Sequence, residues 1–373
     1  MSKLTFLSGS ASDSLALILK EQEPGIDKII VSRSFITRTK QYTNVLHALS
    51  NSGRQIRIMD SCLTLPDINR VIDEVKPETT FLVLGGGRLI DFLKLVCAKT
   101  ECNLVVSPMF LSNDGFASGC SSIPSGEGSH ITCPSKIPQH VYAIHAILKQ
   151  MPYDFVVSGL GELIAKFNVI EDLKLDHSLT EKQKRLMNRA MNHLFQFFLS
   201  GFKNTDFNKP IFLNGLAQSL FHFSILMPTG SELCSRSEHE FEKACMMAGA
   251  TMHHGILVLC GSFVAMKLRE NQRSYRNILK LTQYLGLAED MKRYFHQLLR
   301  HLETTLLKQH LQQLSSLRKD RISLWNHIDS TQIEWEKIFK EIYSDLTYAT
   351  PAKKSRRELD QNDYAIRRIL VQN

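Results

Sequence analysis

The stretch FLVLGGGRLIDFLKL, Phe81 to Leu95, reads as an apolar strand, three consecutive glycines and then an amphipathic helix. Three adjacent residues without a Cβ let backbone N–H groups approach a ligand closely, and a helix starting near Leu89 adds the positive end of its dipole. A pyrophosphate suits that environment, whereas the triplet alone is equally well read as a tight turn after a buried strand. KIIVSRS (28–34), RQIRIMD (54–60) and CNLVVSP (102–108) have strand composition, while YTNVLHALSNSG (42–53) and DINRVIDEVK (67–76) have helical periodicity. Strands alternating with helices predict an α/β domain with a parallel, doubly wound sheet over residues 1–152. From Tyr153 the helical patterns lengthen, as in LTEKQKRLMNRAMNHLFQFFLS (179–200) and MKRYFHQLLRHLETTLLKQHLQQL (291–314), so residues 153–373 read as an all-helical domain. Between the two lies SNDGFASGCSSIPSGEGSHITCPSKIP (112–138), whose Gly, Ser and Pro content favours turns over a regular element.

At 373 residues the chain has room for two such domains, and 43% hydrophobic residues describe a water-soluble globular protein. The eight cysteines show no paired short spacing of the kind that builds a zinc ribbon or redox motif, which suits a reducing cytoplasmic setting. Neither a secretory leader nor a membrane-spanning run is read from the sequence. A net charge of +8 permits nucleic-acid binding, but the basic residues are dispersed. The densest group, Lys353, Lys354, Arg356 and Arg357, runs straight into Glu358 and Asp360, as a solvated charged face does. No nucleic-acid partner is expected, although the charge suits small anionic substrates.

In open α/β sheets ligands bind beyond the carboxyl ends of the strands, so the loop after CNLVVSP faces the same crevice as the glycine turn. Ser112, Asn113, Asp114 and Ser118 lie on it, and Asp114 either orients substrate hydroxyls or simply forms the Asn-Asp-Gly turn. The helical half offers metal-ligand types. SGLGELIAKF (158–167) puts Glu162 near a helix N-terminus with Lys166 one turn later, SEHEF (237–241) supplies His239, and MHHGILV (252–258) supplies His253 and His254. A carboxylate and two imidazoles, with positions left open, can hold a divalent ion that also binds a substrate oxygen. Each residue alone is more often solvated or structural.

Taken together, these segments resemble the superfamily of sn-glycerol-1-phosphate dehydrogenases, glycerol dehydrogenases, iron-containing alcohol dehydrogenases and dehydroquinate synthases, the first most closely. The resemblance rests on Gly85, Gly86 and Gly87 with Asp91 four positions later, SNDGFAS from Ser112 to Ser118, SGLGELIAK, SEH at 237–239 and HG at 254–255, in that order. It spans residue 28 to about residue 260 and implies a Rossmann-like domain followed by a dehydroquinate synthase-like helical one. It further implies NAD(P) contacts at Gly85, Gly86, Gly87, Arg88, Leu89, Asp91, Ser112 and Ser118, and a substrate contact at Asp114. Metal ligands are implied at Glu162, His239 and His254, for one divalent ion, Zn²⁺ first and Ni²⁺ or Fe²⁺ behind it. The implied reaction interconverts a small phosphorylated ketone and alcohol, such as dihydroxyacetone phosphate and sn-glycerol 1-phosphate, in a homo-oligomer. Lys166 enters as an electrostatic helper.

Four departures qualify the resemblance. Glu162 stands where the dehydrogenases usually carry Asp and dehydroquinate synthases carry Glu. Lys243 stands where a second histidine usually meets substrate, and its ammonium can instead meet a phosphate. Met109 and Phe110 replace small polar residues that line the cofactor in relatives. VSRS, with Ser32 and Arg33, lacks the ribose-binding Asp of NAD-preferring relatives, and a guanidinium there favours the 2′-phosphate of NADPH. Two other readings compete: a dehydroquinate synthase-like sugar-phosphate cyclase that retains its NAD, favoured by Glu162, and a catalytically idle binding protein of the same fold, suggested by Met109, Phe110 and Lys243.

Overall fold

The computed structural model describes residues 2–22, 25–38, 42–60, 64–126, 129–176, 179–202, 206–228, 230–269, 272–317 and 322–348. Cys62 and the basic cluster at 353–357 lie outside the described residues.

Apolar runs buried on both faces are what a parallel sheet covered by helices on each side requires. FLVLG shows this best, because every residue of its strand is buried. The strands are β1 (Lys3–Leu7), β2 (Lys28–Ser32), β3 (Gln55–Met59), β4 (Thr80–Gly85), β5 (Asn103–Pro108), β6 (Cys120–Gly126), β7 (Ser129–Pro134) and β8 (His140–Ile144). The helices among them are α1 (Ala11–Glu21), α2 (Arg33–Arg38), α3 (Tyr42–Ser50), α4 (Leu65–Asp73), α5 (Gly87–Thr100) and α6 (His145–Leu148). Six strands form one sheet in the order β1-β8-β5-β4-β2-β3, with every pair parallel. From β2 the chain steps outward to β3 and then returns to β4 on the other side, so the topological switch falls between β2 and β4. The expected doubly wound sheet is therefore present, with β1 and β8 as additional members.

The loop-rich zone departs from expectation. Cys120–Gly126 and Ser129–Pro134 pair as an antiparallel hairpin, with Ile123 opposite Ile131. Its prolines mask it in the sequence, since proline removes ladder donors. Here Pro134 sits at a strand end, and the register shifts between Pro124 and Gly126.

Helices follow: α7 (Tyr153–Leu173), α8 (Glu181–Leu199), α9 (Pro210–Ser224), α10 (Ser237–Met247), α11 (His254–Leu268), α12 (Gln272–Tyr284), α13 (Ala288–His301), α14 (Thr304–Leu317) and α15 (Trp335–Tyr348). The pattern read as one helix over 291–314 is two, because Leu302 is extended (ψ 123°) and ends α13. By packing, Met1–Val156 and Asn208–Ser231 make one compact unit, and Val157–Phe207 and Glu232–Asn373 the other. Segment 208–231 thus joins the first unit although it follows residue 153. Its Ser224 hydroxyl donates to the Asp114 carbonyl, and a Cβ on Gly119 would overlap the Pro228 carbonyl.

Candidate functional site

In the first unit, α5 begins at Gly87 rather than near Leu89, and Gly86 is its N-cap residue with extended backbone (φ −83°, ψ 173°). None of the three glycines adopts a left-handed conformation, so their role is space. A Cβ on Gly85 would come within 2.8 Å of Leu89, one on Gly86 within 3.4 Å of the Phe110 ring, and one on Gly87 within 3.1 Å of the Asn113 amide. The first-turn N–H groups of α5 lack a side-chain cap, the arrangement in which a helix start accepts an anion. Met109 is buried and its sulfur accepts from the Ser32 hydroxyl at 3.6 Å, while Phe110 stacks on Phe155 at 4.3 Å.

Other residues of this group face inward. Lys94 is fully buried on α5, and its ammonium donates to Asp91 (3.0 Å), the Gly115 carbonyl (2.8 Å) and the Ser118 hydroxyl (2.9 Å). Asp91 also accepts from the Ser122 N–H at 3.3 Å. Burial raises the Asp91 carboxyl above its ordinary pKa, with Lys94 opposing the rise. Ser118 and Asp91 thus tie the 112–118 loop and the hairpin to α5. Asp114 is buried ahead of the short helical turn Gly115–Ala117, Ser112 is half-buried, and Arg88 is exposed. Arg33 is exposed and ion-paired with Asp60 at 2.6 Å, a partner not anticipated from the sequence.

In the second unit three distant segments converge. Glu162, His239 and His254 each offer a ligand atom, all within 4.8 Å of one another. Glu162 lies mid-helix on α7, not near its N-terminus, because the glycines of SGLG continue the helix. Their purpose is close approach: a Cβ on Gly161 would overlap the Gly255 carbonyl, and one on Gly255 the Ser158 carbonyl. Gly261 likewise faces the Glu238 carbonyl of α10. Glycines therefore bring α7, α10 and α11 together where the ligand atoms meet. His253 is the N-cap of α11 and is not part of the cluster.

The fully buried Glu162 carboxylate lies 2.8 Å from His254 Nε2, 3.5 Å from His239 Nε2 and 3.6 Å from Lys166 Nζ. Neither of its oxygens has a hydrogen bond of proper geometry. Each imidazole is instead held from behind, His239 Nδ1 by Glu238 at 2.7 Å and His254 Nδ1 by Glu242 at 3.0 Å. Carboxylates only accept, so each Nδ1 carries a proton and each Nε2 of a neutral ring keeps its lone pair toward Glu162. A buried carboxylate with bare oxygens facing two such lone pairs fits a divalent cation. Burial would raise the Glu162 pKa, but the imidazoles, His239 foremost, hold it well below the ordinary carboxylate value. Burial would likewise lower the His254 pKa, and the Glu242 and Glu162 carboxylates hold it well above the ordinary imidazole value.

Behind this cluster the N-terminus of α10 is anchored to α7. Asp172 accepts from the Ser237 N–H (3.0 Å) and hydroxyl (2.6 Å) and pairs with Arg269, while Asn168 donates to Glu238 and Ser237. Lys166 donates to the Cys234 carbonyl at 2.9 Å, and Lys243 lies half-buried one turn after His239. Sequence reading missed Glu238 and Glu242, although both flank His239 in SEHEFEK.

Residues 8–152 match the family described as iron-containing alcohol dehydrogenase. A protein from Methanosphaera stadtmanae named glycerol-1-phosphate dehydrogenase [NAD(P)+] is 26% identical over 61% of this chain and 66% of its own length. A protein of the same name from Haloquadratum walsbyi is 33% identical over 31% of this chain and 33% of its own length. Over residues 8–152 the chain is thus similar to iron-containing alcohol dehydrogenases. It matches at most about two thirds of the length of these two relatives. The fold is shared with glycerol dehydrogenase from Schizosaccharomyces pombe (TM-score 0.67, 15% identity, 93% of this chain and 89% of that one). It is also shared with a 2-epi-5-epi-valiolone synthase from Streptomyces hygroscopicus, solved with NAD+ and Zn2+ bound (TM-score 0.60, 11% identity, 93% and 97%).

Proposed function

We propose that this chain is a metal-dependent NAD(P)H oxidoreductase that interconverts a small phosphorylated ketone and alcohol, with dihydroxyacetone phosphate and sn-glycerol 1-phosphate as the first pair to test. The observation that carries it is the bare, buried Glu162 carboxylate facing the Nε2 atoms of His239 and His254. These three residues would hold the ion, and Glu238 and Glu242 would keep both rings in the ligating tautomer. When bound, a divalent cation supplies Lewis acidity to a carbonyl or alkoxide oxygen, and a nicotinamide supplies or accepts hydride. The uncapped start of α5, from Gly86 to Leu89, would cradle the pyrophosphate of the dinucleotide. Asp114 would orient a substrate hydroxyl, and the Lys243 ammonium would meet the substrate phosphate. The names of the curated relatives support this choice of substrate and cofactor.

Steady-state assays with dihydroxyacetone phosphate and NADPH or NADH, after loading with Zn²⁺, Ni²⁺ or Fe²⁺, test the reading. Turnover that is lost in both His239→Ala and His254→Ala together with the bound metal is the expected result. Metal binding without any nicotinamide oxidation by phosphorylated ketones would overturn it. A second reading, a cyclase with retained NAD, is favoured by one observation, a Glu rather than an Asp at 162. Substrate-dependent phosphate release without lasting change in nicotinamide absorbance would select it.

A further inference from the structure

The switch between β2 and β4 leaves two loops on the same carboxyl edge of the sheet. Val31 is level with Leu84 and Ser32 with Met59, so Arg33 and Asp60 leave the sheet just beyond the level of Gly85. By ordinary strand spacing they stand roughly 5 and 10 Å to one side of the glycine turn. Phe110 and Asn113, which follow β5, line the turn from the other side. A dinucleotide whose pyrophosphate sat on the turn and whose adenosine half ran toward β2 would bring that ribose over Arg33 and Asp60. Both side chains are 62% exposed and joined through Arg33 Nε and Asp60 Oδ1. Exposed pairs of this kind contribute little to stability, so the contact opens at little cost.

A guanidinium alone at this position favours a 2′-phosphate, as the sequence of β2 implies. Asp60 changes that balance. An ionised carboxylate is an acceptor only: it repels a phosphate and competes for Arg33, yet it suits the two hydroxyls of an unphosphorylated ribose. We infer that Asp60 and Arg33 form a two-way cofactor selector. Asp60 accepts from the adenosine-ribose hydroxyls when NADH is bound, and Arg33 leaves Asp60 for the 2′-phosphate when NADPH is bound. The inference rests on the dinucleotide reading above and adds Asp60, from the strand beyond β2, as the residue that keeps NADH acceptable.

Equilibrium titration of the full chain with NADH and with NADPH, followed by nicotinamide fluorescence, tests it in the wild type, Asp60→Asn, Asp60→Ala and Arg33→Ala. Loss of a charged hydrogen bond predicts NADH binding weakened on the order of tenfold in both Asp60 variants, with NADPH binding unchanged or tighter. Arg33→Ala is expected to show the reverse, a loss of similar size confined to NADPH. A ratio of the two dissociation constants that stays at the wild-type value in both Asp60 variants overturns the selector. A wild-type chain that binds neither nucleotide overturns the dinucleotide reading itself, so the two failures are told apart.

Discussion

If the cluster holds a cation as proposed, the carboxylates behind the two histidines would set how well it does so. Replacing Glu238 or Glu242 by Gln keeps shape but lets the amide present its NH₂ group to the ring, which frees the tautomer. Metal affinity is expected to fall about 10- to 100-fold in either variant, as for other partners that orient a ligand from outside the coordination sphere. Competition with a chromophoric chelator measures it, and wild-type affinity in both variants would remove the carboxylates from the site. The metal-free protein carries a pH signature as well. Glu162 is depressed below its ordinary 4.5, so its ion-pair contribution is present above that value and lost as pH falls through its folded pKa. His254 is raised above its ordinary 6.5, so its contribution is complete below that value and lost as pH rises through its folded pKa. Metal-free protein should be most stable between the two, and added Zn²⁺ should raise Tm more on the alkaline side, where no proton has to leave an imidazole. A Zn²⁺ effect on Tm that is larger at pH 5 than at pH 8.5 would contradict this assignment. Glu162, His239 and His254 were legible as residue types in an ordered motif set. Glu238 and Glu242 were not, because Glu238 meets the Nδ1 of its neighbour His239 only for particular rotamers, and Glu242 meets His254 only through the packing of α10 on α11.

Glycines carry the argument from residue to element. In an exposed helix Gly→Ala gains about 1 kcal/mol, since alanine loses less backbone entropy on folding. At Gly161 the opposite sign is expected, because the added methyl would overlap the Gly255 carbonyl and push α11 from α7. A loss of roughly 1–3 kcal/mol in chemical denaturation, accompanied by weaker metal binding, is the predicted outcome for Gly161→Ala. Stabilisation by that variant would show that the two helices have room to spare. Lys94 makes the corresponding case in the α/β unit. Removing its buried ammonium in Lys94→Met leaves Asp91, the Gly115 and Cys120 carbonyls and the Ser118 hydroxyl without their shared donor, a loss expected to reach about 3 kcal/mol or more. Lys94→Met with Asp91→Asn should recover part of it, and equal losses in the single and double variants would argue against the pairing. At this scale periodicity gave types better than limits. The spacing of apolar residues runs unbroken through Leu302, so the end of α13 left no trace in the pattern. The β6–β7 hairpin was hidden because prolines and serines suit a ladder at its ends and edges, which composition alone does not separate from a loop.

Across the molecule, the two proposed ligands divide between two compact units. All three candidate metal ligands belong to the unit made of Val157–Phe207 and Glu232–Asn373, and the glycine turn belongs to the unit made of Met1–Val156 and Asn208–Ser231. The patterns change from alternating to helical near Tyr153, and the first unit's opening segment runs to Val156. The return of 208–231 was not legible, since α9 reads as one more apolar helix and its partners, the Asp114 carbonyl and His145, are fixed only by tertiary packing. This division predicts two separable protections in hydrogen exchange. A ligand at about 100 times its Kd stabilises the state that binds it by roughly 2.7 kcal/mol, and local opening that breaks its site is suppressed accordingly. Zn²⁺ alone should slow exchange in α7, α10 and the first turn of α11, where opening separates Glu162, His239 and His254. NADPH alone should slow exchange at the start of α5 and in residues 109–118, where opening would dismantle the proposed phosphate cradle. Zn²⁺ protection centred on α5 with none in α10 would mean that the ion is held elsewhere, and the assignment of Glu162, His239 and His254 as its ligands would fall with it.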